Sequence, residues 1–568
     1  MLVLGLNHGE INSSAAIVKD GRVIAGAPEE RFSREQRTKS FPSNAVSYCL
    51  AAAQSSLEQV DCVAQGWNPG ASWQRFEPLL SSFRLRREDY FYSIPDNLWN
   101  FTARDPKDWV SMGFPIDSGI PTIYYVQHHR SHAANAFFLS PFEDAAILTC
   151  DWRGEQECFT WGEGRGNAIE ILYKQAMPHS LGMFYSTFTE LLGYRRDSDE
   201  WKVMALSAFD SSGADLTEKV RSTLRMSADG SFELDQSYYQ GAIFEQSKLY
   251  TPKLVSLLGE REGRPDETPD DWHCAVAKAM QTVSEEVIIQ SLCKLYERTK
   301  SGNLVLGGGF AMNSVLNGKL PEKTPFKNVY VSFAPADVGN SIGAALYAAH
   351  CISKQPRSVQ FTSSYLGPEF TNDQVMAVLQ RRGIRYRKLP NAAEQVAALL
   401  ADGEIVAHFH GRMEFGERAL GNRSILADPR KSSIKDKINA TVKYREAYRP
   451  LAPAVLYEKA PQYFEVPQGY ECHFMEKVVA VRKQHQTLLP GITHVDGSAR
   501  VQTVRKEHNS RFYEIIERFG AITEVPVVVN TSFNVNGEPI VLSPDYAVTT
   551  FFNSGLRFLV IEDCLVEK

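Results

Sequence analysis

No two cysteines in this chain are spaced C-x-x-C, and the nine present (Cys49, Cys62, Cys150, Cys158, Cys274, Cys293, Cys351, Cys472, Cys564) are scattered over 568 residues. That excludes a zinc ribbon or a disulfide framework and fits the reduced thiols of a cytoplasmic protein. No run of about 18 uncharged apolar residues occurs, so no transmembrane helix is expected. The start, MLVLGLNHGE, has a short apolar run with no basic region before it, which is not the layout of a signal peptide. An excess of positive charge is also missing. Against 61 Lys plus Arg stand 67 Asp plus Glu, a net charge of −6. This disfavours a general nucleic-acid binder and leaves room for a local basic pocket. Low-complexity tracts and tandem arrays are absent too. What remains is ordinary globular composition, 43% hydrophobic and 23% charged, in a chain long enough for more than one domain.

The first thirty residues read as three short strands. Leu2 to Leu6 is apolar, and Ala15 to Val18 and Val23 to Ala27 flank the turn Lys19-Asp20-Gly21, a hairpin signal. The same order returns at Ala145 to Cys150, then Cys158 to Trp161 and Ile169 to Tyr173 around Gly162 to Gly166. Two copies of strand, polar loop and hairpin suggest a duplicated domain. Helical spacing of Val276, Met280, Val283, Val287 and Leu292 predicts a long helix between Asp271 and Gly302. A polar stretch at Ser353 to Ser364 reads as a linker, placing a boundary at about residue 355.

Chemistry-bearing residues cluster in a few places. In His128-His-Arg-Ser-His132, His128 and His132 fall at i and i+4, on one face of a helix, where two imidazoles can bind one metal; a chance pair is the alternative. Asp151 and Asp337 each close an apolar strand and open a turn, so both can point into one cleft, or simply cap helices. Two His with one or two carboxylates suit Fe, Mn or Zn. Gly307-Gly308-Gly309 lies between a strand and a helix, allowing close approach of a ligand or tight packing. It is neither a Walker A loop nor a G-x-G-x-x-G fingerprint.

From Arg412 to Arg449 the chain holds ten Lys or Arg and five Asp or Glu, a basic segment inside an acidic protein. Arg412, Arg418 and Arg423 sit among glycines, and Lys443, Arg445 and Arg449 follow. The strand Val527-Val-Val-Asn530-Thr-Ser532-Phe-Asn534 delivers small hydrogen-bonding groups at its end. Arginine forks bind phosphate, and Asn and Ser supply neutral partners for a small amide. A solvated basic surface or an RNA-phosphate contact is the other reading, disfavoured by the glycines and by the shortage of interleaved aromatics.

Several longer motifs span essentially the whole chain: PEERFSR (Pro28 to Arg34), HHRSH, EWKVMAL (Glu200 to Leu206), LVLGGGFAMNSVLNGKL, GRMEFGERALGNRSILADPR, KYREAYRPLAPAV, HVDGSARVQTV and NTSFNVNGEPIV. Together they resemble the O-carbamoyltransferases of antibiotic and nodulation-factor biosynthesis, the group typified by the tobramycin, cephamycin and geldanamycin carbamoyltransferases. The resemblance implies an α/β enzyme with a duplicated actin-like ATPase (ASKHA, Kae1-like) carbamoyl-transfer domain over 1–355. A YrdC-like carbamoyl-adenylate-forming domain would follow over 356–568.

It further implies that carbamoyl phosphate and ATP, with Mg2+, give carbamoyl-adenylate, whose carbamoyl group passes to a hydroxyl of a small molecule. His128, His132, Asp151 and Asp337 would hold a divalent metal, Fe2+ first and Mn2+ or Zn2+ next. Lys202, Gly308, Gly309 and Asn313 would border the nucleotide. Lys443, Arg449, Arg500, Asn530 and Ser532 would receive carbamoyl phosphate, with Arg418 and Lys39 as neighbours. His8 and Lys39 are the catalytic candidates. Two departures stand out: the family usually has a His-Asp pair where this chain has Ile11 and Asn12, and Glu417 stands where Pro is usual. The first departure keeps open N-carbamoylation of an amine or guanidine. RNA modification or binding is a reading from another class, against which the expected partners are small molecules and neither nucleic acid nor membrane. A homodimer is left open.

Overall fold

A computed structural model of the protein describes residues 1–9, 12–68, 109–112, 121–211, 213, 215–240, 247–446 and 448–568. It is an α/β structure that divides into two compact units. Met1–Gly26, Lys39–Asn313 and Lys319–Thr362 form the first; Ala27–Thr38, Ser314–Gly318 and Ser363–Lys568 form the second. Among the described residues no helix is long and apolar enough to cross a membrane.

The first unit contains one topology twice. Strands β1 (Leu2–Asn7), β2 (Ser14–Lys19) and β3 (Arg22–Pro28) are followed by β4 (Cys62–Gln65), β5 (Trp109–Met112) and β6 (Thr122–Val126), in the order β3-β2-β1-β4-β6-β5. Then β7 (Asp144–Cys150), β8 (Glu157–Arg165) and β9 (Ala168–Ala176) lead, past the small hairpin β10 (Leu224–Met226) and β11 (Phe232–Leu234), to β12 (Asn303–Gly307) and β13 (Asn328–Val331). Their order is β13-β12-β7-β8-β9. In each sheet an opening strand (β1, β7) pairs antiparallel with the next and parallel with a later one (β4, β12). Without the edge strand β5 the two orders coincide, which is the duplication that the repeated strand-loop-hairpin pattern predicts. The long helix runs from Asp271 to Thr299, capped by Asp270.

Helices His128–Phe138 and Asn340–Tyr347 pack on one another in this unit. Their backbones come so close that a Cβ on Gly343 would lie 2.0 Å from the Ser131 carbonyl oxygen, so only glycine fits. The His128–Phe138 helix is buried along its whole length although half its residues are polar. Its polar side chains find partners instead. His129 Nδ1 lies 2.6 Å from Thr149 Oγ1, Asn135 donates to the Gly339 carbonyl at 2.8 Å, and Ser332 donates to Asn135 at 2.6 Å. Satisfied polar groups of this kind remove most of the cost of burial.

The second unit is built on one eight-stranded mixed sheet. Its strands are β14 (Arg387–Lys388), β15 (Val406–Phe409), β16 (Arg423–Ala427), β17 (Ala452–Leu456), β20 (Gln502–Val504), β21 (Val527–Ser532), β22 (Phe558–Ile561) and β23 (Cys564–Glu567). A separate pair, β18 (Val478–Ala480) and β19 (Ser498–Arg500), completes the strands. Side chains alternate across the large sheet as the two-residue period demands. Val406, Leu426, Ala454 and Val528 join helices Ala392–Ala401 and Ser510–Thr523 on one face. Ala407, Phe409, Ile425 and Leu559 join Asn372–Arg381 and Pro544–Phe552 on the other. Because both faces are covered, polar side chains on the strands, such as Arg423 and Asn530, are buried as well.

Candidate functional site

Within the first unit, His128, His132, Asp151 and Asp337 each offer one ligand atom, and the four lie within 4.8 Å of one another. The helix brings the two imidazoles together, with Nε2 atoms 3.0 Å apart. Asp151 follows β7, and Asp337 opens the turn before Asn340–Tyr347. His132 Nε2 lies 3.0 Å from Asp151 Oδ2 and 3.3 Å from Asp337 Oδ1; His128 Nε2 lies 3.3 Å from Asp337 Oδ1 and 4.0 Å from Asp151 Oδ2.

These separations fit a metal site. Ligands at about 2.1 Å from one ion lie about 3.0–3.4 Å apart when they are neighbours in its coordination shell. Asp337 Oδ1 is buried and makes no hydrogen bond, although it faces both rings. Two imidazoles and two carboxylates form a donor set suited to a divalent transition metal. The electrostatics of the bare site are those of a tight ion cluster. Burial alone would lower His132, but contacts to Asp151 and Asp337 lift it to about 9. Burial opposes ionisation of Asp337, yet His128 and His132 hold it below the usual carboxylate range.

A supporting shell surrounds the four, and the motif reading missed it. Glu155 accepts from the His128 backbone N–H at 2.9 Å and from Asn68 N–H at 2.6 Å, so a carboxylate rather than a side-chain cap closes the helix start. Burial lifts Glu155 to about 7. The Asn340 carboxamide lies 3.2 Å from His128 Nδ1 and 3.3 Å from His132 Nε2. It is Nδ2 that faces both rings, while Asn340 Oδ1 is buried without a hydrogen-bond partner, so Asn340 holds the imidazoles in place through its NH2 group. The signal for Asn340 was its place three residues after Asp337.

The glycine turn adjoins this cluster. Gly308 has φ +89°, and a Cβ there would lie 2.1 Å from the Cys150 carbonyl oxygen; Gly309 donates its N–H to Asp151 Oδ2 at 2.7 Å. The run is therefore held by packing as well as by any ligand. Asn313 exchanges amide hydrogen bonds with Gln281 at 3.0 and 3.1 Å, and Lys202 pairs with Asp199 at 3.2 Å. His8 and Lys39 fall in one neighbourhood: Gly9 N–H donates to the Lys39 carbonyl at 3.0 Å, and the His8 ring meets the exposed Phe41 edge-on at 5.3 Å. Asn12 has φ +56°, and Ile11 lies outside the described residues.

In the second unit the structure gathers cations. Burial, with Arg418, Arg445 and Arg449 nearby, pushes Arg500 well below its ordinary value. Burial, Arg445 and Arg449 do the same to Lys443, and burial with Arg449 lowers Arg445 to about 9. Lys443, only 5% exposed, donates to Asn534 Oδ1 at 2.7 Å, to the Asn534 carbonyl at 3.0 Å and to Ser532 Oγ at 3.1 Å. Arg449 has Glu446 at 3.4 Å, and Glu417 is the near carboxylate of Arg418. Among the described residues, Glu417 and Glu446 are thus the carboxylates set against these five cations in a buried space. Such a cluster is costly by itself and is the environment that an oxyanion relieves.

Local structure explains how these groups are presented. Glu414 Oε1 accepts the backbone N–H groups of Leu420, Asn422 and Arg423 at 2.8, 2.8 and 3.2 Å, curling the segment that carries Arg418. Arg423 itself is fully buried, donating to the carbonyls of His410, Gly411 and Pro368, with its guanidinium 3.6 Å from the centre of the Phe409 ring. It is a scaffold residue despite its place in the basic run. Asn530 lies within β21 and Ser532 ends it, and β16 and β17 pair with that strand at Asn530.

Comparison with known proteins follows the same division. A carbamoyltransferase N-terminus model matches residues 3–346, and a carbamoyltransferase C-terminus model matches residues 397–568. An uncharacterized protein of Synechocystis sp. is 35% identical over 602 residues, covering 100% of this chain and 96% of that one. Nodulation protein NolNO of Sinorhizobium fredii is 35% identical over 567 residues, covering 98% of this chain and 79% of that protein. A 3'-hydroxymethylcephem-O-carbamoyltransferase of Amycolatopsis lactamdurans is 27% identical over 523 residues, covering 87% and 93%.

Proposed function

The chain belongs to the carbamoyltransferase family of enzymes, and from that premise we propose that it makes carbamoyl-adenylate from carbamoyl phosphate and ATP and transfers the carbamoyl group to a hydroxyl of a small molecule. The observation that carries the proposal is the buried cluster of Arg418, Lys443, Arg445, Arg449 and Arg500, short of carboxylates in a protein of net charge −6.

In this proposal the five cations bind the phosphate of carbamoyl phosphate, and Asn530 and Ser532 meet its carbamoyl end. Hydrolysis releases phosphate and carbamate. A carbamate oxygen then attacks the α-phosphorus of ATP, with Mg2+ as the nucleotide's counterion, and pyrophosphate leaves. The mixed anhydride formed has AMP as a good leaving group, and the cations offset charge that grows on the phosphates. Transfer belongs to the first unit, whose repeated sheet supports the actin-like ATPase reading, and the second unit takes the YrdC-like role. In the first unit Gly308, Gly309, Asn313 and Lys202 border the nucleotide. His128, His132, Asp151 and Asp337 would hold the divalent metal, iron by family resemblance, which supplies positive charge next to the phosphates. The acceptor oxygen attacks the carbamoyl carbon, AMP departs with the electrons of the broken C–O bond, and His8 takes the hydroxyl proton, with Lys39 beside it.

Ile11 and Asn12, standing where the family has its His-Asp pair, favour a second reading in which the acceptor is a nitrogen that needs less base assistance. One experiment addresses both. Purified protein is incubated with carbamoyl phosphate, ATP, Mg2+ and Fe2+, Mn2+ or Zn2+, and then with hydroxyl and amine acceptors. Pyrophosphate release that depends on carbamoyl phosphate, and a carbamoyl-adenylate ion in the mass spectrum, are expected. Absence of both with every metal overturns the proposal. The acceptor that gains 43 mass units, about the carbamoyl increment expected for a transfer of this type, separates oxygen from nitrogen transfer.

A further inference from the structure

Asn530 is 1% exposed, and its Oδ1 is buried without a hydrogen-bond partner. A buried amide oxygen left unpaired costs about 1–3 kcal/mol, so it calls for an explanation. The rest of the side chain is firmly held: Nδ2 donates to Gln502 Oε1 at 2.8 Å and to the Ala419 carbonyl at 3.3 Å. Gln502, 3% exposed, donates through Nε2 to the Leu420 carbonyl at 3.0 Å.

The orientation of both amides follows from these bonds. A carbonyl can only accept, so the Leu420 oxygen requires the NH2 end of Gln502. The Gln502 oxygen then faces Asn530, which must answer with its own NH2 end. The Ala419 carbonyl imposes the same choice from the other side. Asn530 Oδ1 is therefore fixed as an unpaired acceptor. It stands beside the segment bearing Arg418, because Ala419 follows Arg418, and Gln502 lies two residues beyond Arg500.

Resting on the reading that this unit binds carbamoyl phosphate, we infer that Gln502 is a positioning residue that fixes Asn530 as the acceptor for the carbamoyl NH2 and so sets the preference for carbamoyl over acyl donors. Acetyl phosphate has the same charge and nearly the same shape, but its methyl group donates nothing. Bound here it leaves Oδ1 unpaired. If Gln502 cannot accept, Asn530 loses the shorter of its two orienting bonds and keeps only the 3.3 Å contact to the Ala419 carbonyl, so its NH2 can rotate toward the carbamoyl NH2, donor against donor.

The test uses the full chain. For wild type, Gln502→Leu and Gln502→Glu, the KM for carbamoyl phosphate, the inhibition constant of acetyl phosphate against it, and the affinity for inorganic phosphate by calorimetry are measured. In Gln502→Leu, carbamoyl phosphate should weaken by about tenfold, the effect of one hydrogen bond. Acetyl phosphate and inorganic phosphate should be unchanged within about twofold, below one such bond. Gln502→Glu keeps an oxygen facing Asn530 Nδ2 and should retain most of the preference. An equal loss for all three ligands would mean a merely structural role and overturn the inference, as would an unchanged preference in Gln502→Leu. If the wild type itself shows no pyrophosphate release with carbamoyl phosphate, the underlying activity fails instead, and the two failures are told apart.

Discussion

Gly309 donates its backbone N–H to Asp151 Oδ2 at 2.7 Å, so the glycine turn and the four-donor cluster share one carboxylate. The bond depends on Gly308, whose φ of +89° and contact with the Cys150 carbonyl leave no room for a side chain. Gly308→Ala should destabilise the protein by about 2–4 kcal/mol through overpacking and backbone strain. It should also lower metal content. Thermal unfolding and metal analysis after dialysis check both, and a variant with wild-type values for each would refute the prediction.

Removing a ligand separates the two halves of the reaction. His128→Ala should lose bound metal and carbamoyl transfer while pyrophosphate release from ATP and carbamoyl phosphate continues in the second unit. Asn340→Leu should weaken metal binding about 10- to 100-fold, the usual cost of losing a group that orients a ligand. Metal titration and the pyrophosphate assay read the outcomes. Loss of adenylate formation in His128→Ala would mean that the division of labour is wrong.

The cation cluster predicts a trade between stability and function. Arg445 lies in a buried, like-charged neighbourhood that lowers it to about 9. Arg445→Met should leave the melting temperature equal to or above that of wild type while abolishing turnover. Inorganic phosphate should raise the melting temperature of wild type, by about 2.7 kcal/mol of stabilisation at a hundredfold excess over Kd, and should do little for the variant. Calorimetry of both proteins with and without phosphate decides it.

The second unit should be acid-sensitive. Burial depresses His408 to about 3 and His494 to about 4, against an ordinary value of 6.5. Between those values the unfolded chain binds protons that the folded one refuses, so stability falls as pH drops below about 6.5, with a slope of up to about 1.4 kcal/mol per pH unit for each group. Urea midpoints from pH 7 to 5 should fall, and His408→Gln should flatten the slope. A pH-independent midpoint would contradict this assignment.

The convergence of His128, His132, Asp151 and Asp337 was legible because local rules govern it. Helical spacing pairs the imidazoles, and strand ends followed by turns place the carboxylates. The repeated sheet was legible for the same reason, from strand, loop and hairpin in order. Asn340 had a local signal only in its place three residues after Asp337, and Glu155 and Gln502 had none, because their importance lies in hydrogen bonds to residues far along the chain. Arg423 misled for a related reason: as a sequence it continues the basic run, whereas backbone carbonyls take both its terminal nitrogens and the Phe409 ring covers its guanidinium. Nor does anything local mark residues 27–38 and 314–318 as members of the second unit, since that membership is set by packing alone.

The repeated sheet also bears on how such a protein can change. Its strands β1 and β7 end at matching places in the two sheets, and a polar loop follows each in the sequence. The second loop begins with Asp151 and is committed to the four-donor cluster, while the first, which contains Ile11 and Asn12, contributes none of those donors. Under the proposed function, a change of acceptor then asks for new residues in the first loop alone, leaving the other copy to keep its inherited chemistry intact.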